Sequence, residues 1–382
     1  MAESLKKLML SQIPELKING RTAYDASGKP EVNPLALFWA GSGIEFNVAA
    51  TEMWINLKSD CALFEPWILI VINGSVISRM MLPPGSHRVC VFRTFAPTEF
   101  HNVQIIKDTQ AMSEDQSHSL VVESVEVSQD CRFAPVPEKK LKIEFVGDSI
   151  TSGEGLAGAK DEMKWISAWM SMNGNYTFLV ADKLKADIRL ISQGGWGVYW
   201  SWCSNTDCAM PAYYEQVCGL AGGEKNVRLG AVQKNRFDLW QPDCIVVSLG
   251  TNDASGCLHA SEDAGEGHRF RKEDIEHIKN AVKEFLLILR KNNKNAFILW
   301  IYGIIGDDLK PAIEDGIADY MLMSGDKRVS LQMLPKMKIE SCGSRNHPGL
   351  EVHKQVADIV ADELKRILSV QDFAAMDAPD IL

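Results

Sequence analysis

Four short segments of this chain carry the residue types that acyl transfer needs. The first, Gly147-Asp148-Ser149-Ile150-Thr151, directly follows the apolar run Leu141 to Val146. A serine at a strand-to-helix turn presents its hydroxyl outward. Its own N–H then lies near a helix N-terminus and can donate to an oxyanion. Gly147 permits the tight turn. Taken alone, the same serine reads equally well as a helix cap. The second segment is Ser192-Gln193-Gly194-Gly195-Trp196-Gly197. A glycine here lets a backbone N–H approach a ligand closely, although by itself this is also an ordinary Gly-rich turn. The third, Ser248-Leu249-Gly250-Thr251-Asn252-Asp253, offers the Asn252 side-chain NH2 as another donor, against an Asx turn as the competing reading. The fourth is Asn346-His347-Pro348-Gly349, where Pro348 and Gly349 fix a loop that could hold His347 as a general base. The other seven histidines (His87, His101, His118, His259, His268, His277 and His353) have no comparable context.

The elements around these segments decide between the readings. Leu141–Val146, Ile188–Ser192, Cys244–Leu249 and Phe297–Tyr302 read as short apolar strands. Asn175–Ala186, Glu273–Lys291 and Leu350–Val370 read as helices, the last two with aligned apolar faces. Strands alternating with helices predict a parallel sheet covered on both faces, with its site beyond the carboxyl ends of the strands. Each segment falls at such an end, or in the loop feeding the last helix. Nucleophile, base and three donors (the Ser149 N–H, the Gly195 N–H and the Asn252 amide) therefore converge on one rim.

The first third of the chain has a different texture. Gly43–Val48, Met53–Leu57, Trp67–Ile72, His87–Phe92, His101–Ile106 and Leu120–Val127 are short runs broken by turn residues. Asn73-Gly74 is a strong hairpin signal. This predicts an all-β jelly-roll sandwich over residues 1–134, a Pro-rich linker over 135–140, and an α/β three-layer domain with a flavodoxin-like parallel sheet over 141–382. Residues 1–20 add a helix or an extra strand.

Composition narrows the function. The 382 residues suit two domains, and 40 basic against 50 acidic residues give a net charge of −10 without any Lys/Arg run. Nucleic acid is a poor partner on this count. No window approaches the roughly 18 apolar residues of a membrane span. Nine scattered cysteines, an odd number, fit reduced thiols better than a disulfide framework. Cys203, Cys208 and Cys218 lack a CxxC spacing and a nearby His, so no metal and no cofactor is expected. The N-terminus shows no signal-peptide pattern, which points to the cytoplasm, or to secretion if a signal peptide has been removed.

The four blocks resemble those of the SGNH (GDSL-type) hydrolases, with Ser149, Gly195, Asn252 and His347 in the family's order. The β-rich part (Gly20-Arg21-Thr22, Gly43-Ile44-Glu45-Phe46, Val71-Ile72-Asn73-Gly74) looks like the N-terminal jelly roll of carbohydrate esterase family 2. Lys142 to Thr151, Trp196-Gly197-Val198-Tyr199 and Trp240-Gln241-Pro242-Asp243 also resemble that family, and the likeness spans roughly residues 20 to 370. The resemblance implies a serine esterase that removes acetyl groups from plant polysaccharides or oligosaccharides of the mannan or xylan type, often from the primary 6-hydroxyl. One departure stands out. Many SGNH enzymes carry an Asp two or three residues before the histidine, whereas here Arg345 and Ser344 occupy those places. The resembled family includes Ser–His dyads whose imidazole is oriented by backbone carbonyls. Orientation and tautomer are the main service of the third triad member, so such a dyad is chemically sound.

Trp165, Trp169, Trp196, Trp200 and Trp202 cluster between the first two blocks and read either as a sugar-stacking platform or as core aromatics. Trp196, inside the Gly-rich loop, and Asp148, beside the nucleophile, are the candidate substrate-binding residues. The alternatives are another SGNH lipase or thioesterase, and a carbohydrate-binding protein whose catalysis has weakened. A scaffold role for the jelly roll is compatible with the esterase reading.

Overall fold

The computed structural model describes residues 4–376, with side chains through Ser369. Its N-terminal part is built from strands β1 (Lys6–Met9), β2 (Lys17–Asn19), β3 (Leu35–Ala36), β4 (Gly43–Ala49), β5 (Glu52–Asp60), β6 (Trp67–Ile72), β7 (Ser75–Met81), β8 (Gly85–Arg93), β9 (His101–Lys107), β10 (Ser119–Val127) and β11 (Arg132–Ala134). They form two antiparallel sheets. One has the order β1-β10-β5-β8, with β3 also on β10. The other has the order β11-β4-β9-β6-β7, with β2 on β4. Alternation decides what lies between them: Ile44, Phe46 and Val48 of β4 face Met53, Ile55 and Leu57 of β5 in one fully buried cluster. Asn73 and Gly74 join β6 to β7 with φ of 51° and 80°. Those two positive values are what a two-residue hairpin needs to match strand twist. The first 20 residues contribute strands rather than an α-helix, and residues 1–3 lie outside the described part.

The C-terminal part holds β12 (Leu141–Gly147), β13 (Ala186–Ser192), β14 (Cys244–Ser248), β15 (Phe297–Tyr302) and β16 (Val329–Met333), all parallel, in the order β13-β12-β14-β15-β16. Helices α1 (Tyr176–Leu184), α2 (Gly223–Arg228), α3 (Thr251–Asp263), α4 (Lys272–Asn292) and α5 (Lys310–Ser324) lie in the connections between them, and α6 (Leu350–Met376) follows the last strand. Val282, Phe285 and Leu289 of α4 with Ile313 of α5 cover one face, and Val180 of α1 with Val356, Val360 and Leu364 of α6 cover the other. β12 lies between β13 and β14, where the strand order reverses. In such sheets a crevice opens at that point beyond the strands' carboxyl ends.

The two parts share a core. Leu69, Val71 and Ile106 of β6 and β9 pack into the same cluster as Phe145, Val180 and Val360. Arg21 is fully buried across the junction; it pairs with Glu144 of β12 at 3.2 Å and donates to the carbonyls of Tyr214 and Gln216. The Trp39 indole N–H donates to the Val217 carbonyl at 2.7 Å. Among the described residues no helix is long and apolar enough to cross a membrane.

Candidate active site

The four segments meet in a cleft of about 480 Å³ lined by Ser149, Gly194, Gly195, Asn252 and His347, together with Gln110, Glu154, Trp165, Trp202 and Arg345. Strand pairing explains the meeting. Gly147 stands beside Ser192 on one side and Ser248 on the other, so three chain exits are neighbours. The loop before α6 brings the histidine to them.

His347 Nε2 lies 2.9 Å from Ser149 Oγ, and His347 Nδ1 lies 2.9 Å from the carbonyl oxygen of Arg345. A carbonyl can only accept, so Nδ1 carries the hydrogen and Nε2 is the free base facing the serine. The turn that aims this carbonyl is unusual. Arg345 adopts φ 55° and ψ 31°, and Asn346 has φ 55°. Left-handed backbone is uphill for such residues and needs support from its surroundings. That support is visible. The Arg345 N–H donates to the Glu162 carbonyl at 2.7 Å, its Nη1 donates to the Met163 carbonyl at 3.0 Å, and its Nε pairs with Glu154 Oε1 at 2.7 Å. The other oxygen of Glu154 is 3.7 Å from His347 Nε2. Glu154 is buried, and it is the carboxylate that faces the imidazole.

Two backbone donors stand ready. Among the described residues, neither the Ser149 N–H nor the Gly195 N–H has an acceptor in the protein. Gly195 takes φ 81°, a value that comes without strain only to glycine. The Asn252 amide also reaches the cleft, but it donates to the Trp196 carbonyl at 3.0 Å and lies 3.4 Å from Asp148 Oδ2. Asn252 sits in the first turn of α3, not in an isolated Asx turn. Its neighbour Asp253 accepts the N–H groups of Val198 and Tyr199 at 2.8 and 2.9 Å, and that of Trp200 at 3.3 Å, pinning the glycine loop. A Cβ at Gly197 would come within 2.2 Å of that carboxylate, so only glycine admits it. Burial raises Asp253 to about 6 against these three N–H donors. Burial raises Asp148 to about 7, and the charges of Asp253 and Glu154 push the same way.

Three expectations are corrected. Ser149 does not open a helix: a run of turns follows it, and the next α-helix is α1, beginning at Tyr176. Trp196 does not line the cleft: it is 7% exposed and packs on Tyr213 at 5.1 Å. Asp148 does not line the cleft either. It is 1% exposed, and Oδ1 accepts the Ile150 N–H at 3.0 Å, which shapes the nucleophile turn from below. The aromatic side chains on the cleft besides His347 are Phe64, Trp165, which stands edge-on to it, and Trp202, which is 56% exposed and covers Gly195. Trp200 belongs to the core.

Comparison with known proteins agrees with this geometry. The GDSL-like lipase/acylhydrolase family profile matches residues 143–378. An acetyl xylan esterase from the rumen bacterium Butyrivibrio proteoclasticus is 39% identical, with 96% of this chain and 99% of that one covered at a TM-score of 0.89. An acetylxylan esterase/glucomannan deacetylase of Cellvibrio japonicus is 25% identical over 341 residues, which is 88% of this chain and 82% of its own. A family two carbohydrate esterase from Clostridium thermocellum, solved with cellohexaose, shares the fold at 21% identity and a TM-score of 0.77, covering 93% and 99% of the two chains. The chain belongs to the GDSL-like lipase/acylhydrolase family and is a carboxylic ester hydrolase of the SGNH type.

Proposed function

We propose that this enzyme is a carbohydrate O-acetyl esterase working through a Ser149–His347 dyad. The observation that carries the mechanism is the pair of 2.9 Å contacts that place His347 between Ser149 Oγ and the Arg345 carbonyl. Ser149 Oγ attacks the acetyl carbonyl while Nε2 takes its proton. The Ser149 and Gly195 N–H groups receive the oxyanion, and the Asn252 amide joins them on releasing the Trp196 carbonyl. As the tetrahedral centre collapses, the C–O bond to the sugar breaks and Nε2–H protonates the departing sugar oxygen, which leaves as a hydroxyl. Water then attacks the acetyl-serine with His347 as base, releasing acetate and restoring Ser149. Each oxyanion donor contributes about 3 kcal/mol to such a transition state.

Substrate class follows from the relatives named above and from the cleft. Trp165 and Trp202 offer apolar ring faces for sugar C–H surfaces, and Glu114 and Glu154 offer acceptors for hydroxyls. The acetylated oligosaccharide or polysaccharide is of the xylan or mannan type. The domain division into residues 1–134, 135–140 and 141–382 belongs to the same reading. A jelly roll for the first of these is supported by the strand orders β3-β10-β5-β8 and β4-β9-β6-β7, which interleave eight successive strands between two sheets. The test is acetate release from acetylated xylan and mannan oligosaccharides, followed by NMR. Wild type should release acetate and Ser149→Ala should not, with both folded. Full release by the variant refutes the dyad, and a preference for octanoyl over acetyl esters refutes the substrate class.

A further inference from the structure

One wall of the cleft comes from the antiparallel half. Strand β9 ends at Lys107, and the segment after it runs into the site, where Gln110 and Met112 border the cleft. Gln110 is 2% exposed, and its Oε1 accepts the Gly194 N–H at 2.7 Å. An N–H can only donate, so the oxygen end of the amide is fixed on Gly194 and the NH2 end is left over. Space around this contact is tight. A Cβ on Gly194 would meet both ends of the Gln110 amide at 3.3 and 3.4 Å and Ser149 Cβ at 3.4 Å. Gln110, Gly194 and the nucleophile therefore pack as one unit.

The segment is anchored at considerable expense. The Lys107 ammonium is wholly buried and donates to the carbonyls of Phe38 at 2.6 Å and Gln110 at 2.8 Å. No carboxylate pairs with it among the described residues, and burial pulls it down to about 7. A buried amine left without acceptors is costly, and these two carbonyls satisfy it. Here it holds the main chain of Gln110. Next to it, the buried Asp108 pairs with Arg79 at 2.6 Å and accepts the Met172 N–H at 2.6 Å, tying the same segment to the C-terminal half. Met112, at the far side, takes φ 55°.

We infer that Gln110 is a positioning residue of the oxyanion site: by fixing the Gly194 N–H it sets the turn that turns the Gly195 N–H toward Ser149, so the antiparallel half completes the reaction centre. This rests on the reading of Ser149 as the acylated nucleophile, and the experiment separates the two. The full chain is exposed to p-nitrophenyl acetate, and acetylation of Ser149 is followed by mass spectrometry and by the pre-steady-state release of nitrophenolate. Gln110→Met keeps the length of the side chain without its acceptor, and Gln110→Ala provides a second variant if the first does not fold. Both should acylate about 10- to 100-fold more slowly, as expected when a donor is misplaced by about an ångström. A trifluoromethyl ketone, which needs the oxyanion site, should bind more weakly by a similar factor. A deacetylated xylo-oligosaccharide, which does not, should keep its Kd. A role in packing alone would move both affinities or neither. Wild-type acylation and ketone affinity in Gln110→Met overturn the inference. No acetyl on Ser149 in the wild type overturns the underlying reading instead.

Discussion

Asp148→Asn should make the protein more stable at pH 8 and leave it nearly unchanged, or slightly weaker, at pH 5. Asp148 is wholly buried beneath the nucleophile turn, and burial lifts its carboxyl from the ordinary 3.8 to about 7. Between those values the folded chain holds a proton that the unfolded chain has released. Stability from this group is therefore complete below about pH 4 and is lost as the pH rises through about 7. The gap corresponds to a ceiling of about 4 kcal/mol. Asparagine escapes this loss because it never ionises. It keeps an oxygen for the Ile150 N–H, at 3.0 Å in the wild type, but cannot accept from Asn252, which is 3.4 Å away. That lost contact offsets about 1 kcal/mol. Part of the ceiling is also shared with Asp253, whose charge helps raise Asp148. A gain of about 2 kcal/mol at pH 8 remains, shrinking to zero or reversing at pH 5. Urea unfolding of both proteins at the two pH values measures it. A stability difference that is the same at pH 5 and pH 8 refutes a buried Asp148 carboxyl raised to about 7 in the folded chain.

Three further outcomes are expected. Arg345→Gly should retain more kcat/KM than Arg345→Ala, because both lose the Glu154 pair but only glycine accepts φ 55° freely; a steady-state comparison giving alanine the higher value would count against the strained turn as the orienter. Trp202→Ala should raise KM for acetylated oligosaccharides about tenfold with little effect on p-nitrophenyl acetate, while Trp196→Ala should destabilise by about 3–5 kcal/mol in urea unfolding, as truncation of a buried aromatic does. Arg21→Ala should destabilise by about 3–5 kcal/mol, because Glu144 is left buried without its cation, and the double change Arg21→Met with Glu144→Gln should cost less than the single one in the same assay.

Chain-local chemistry made some of this site legible and hid the rest. Ser149, Gly195, Asn252 and His347 announce themselves because each stands at the end of an apolar run or before the last helix, and adjacent parallel strands bring such ends together. Glu154 carries no such mark. It reaches His347 only because the chain turns back on itself, its N–H returning to the Ser149 carbonyl at 3.0 Å. Gln110 is 84 residues away from its partner Gly194, in a half of the chain whose pattern speaks only of sheets. Trp196 misled for a local reason. The loop folds back through the Trp196–Ser201 bridge, which turns Trp196 inward and leaves Trp202 on the cleft. Helix α3 was invisible to apolar periodicity because its buried face is Asp253, Gly256, Cys257 and Ser261, small and polar residues that let Trp200 approach. Strand β7 was missed because its residues are largely exposed and alternate weakly.

The absence of an acid beside His347 is less of a loss than the sequence suggests, because its two services are divided between other groups. In a triad, one carboxylate orients the imidazole and also stabilises the imidazolium. Here orientation falls to the Arg345 carbonyl, at 2.9 Å from Nδ1, and the charge comes from Glu154, at 3.7 Å from Nε2. Both run through Arg345, whose backbone supplies the first and whose guanidinium holds the second at 2.7 Å. The same guanidinium fixes the Glu154 carboxylate on the side of the nitrogen where positive charge develops as Ser149 gives up its proton. Arg345 thus joins the orienting carbonyl and the buried carboxylate in a single residue.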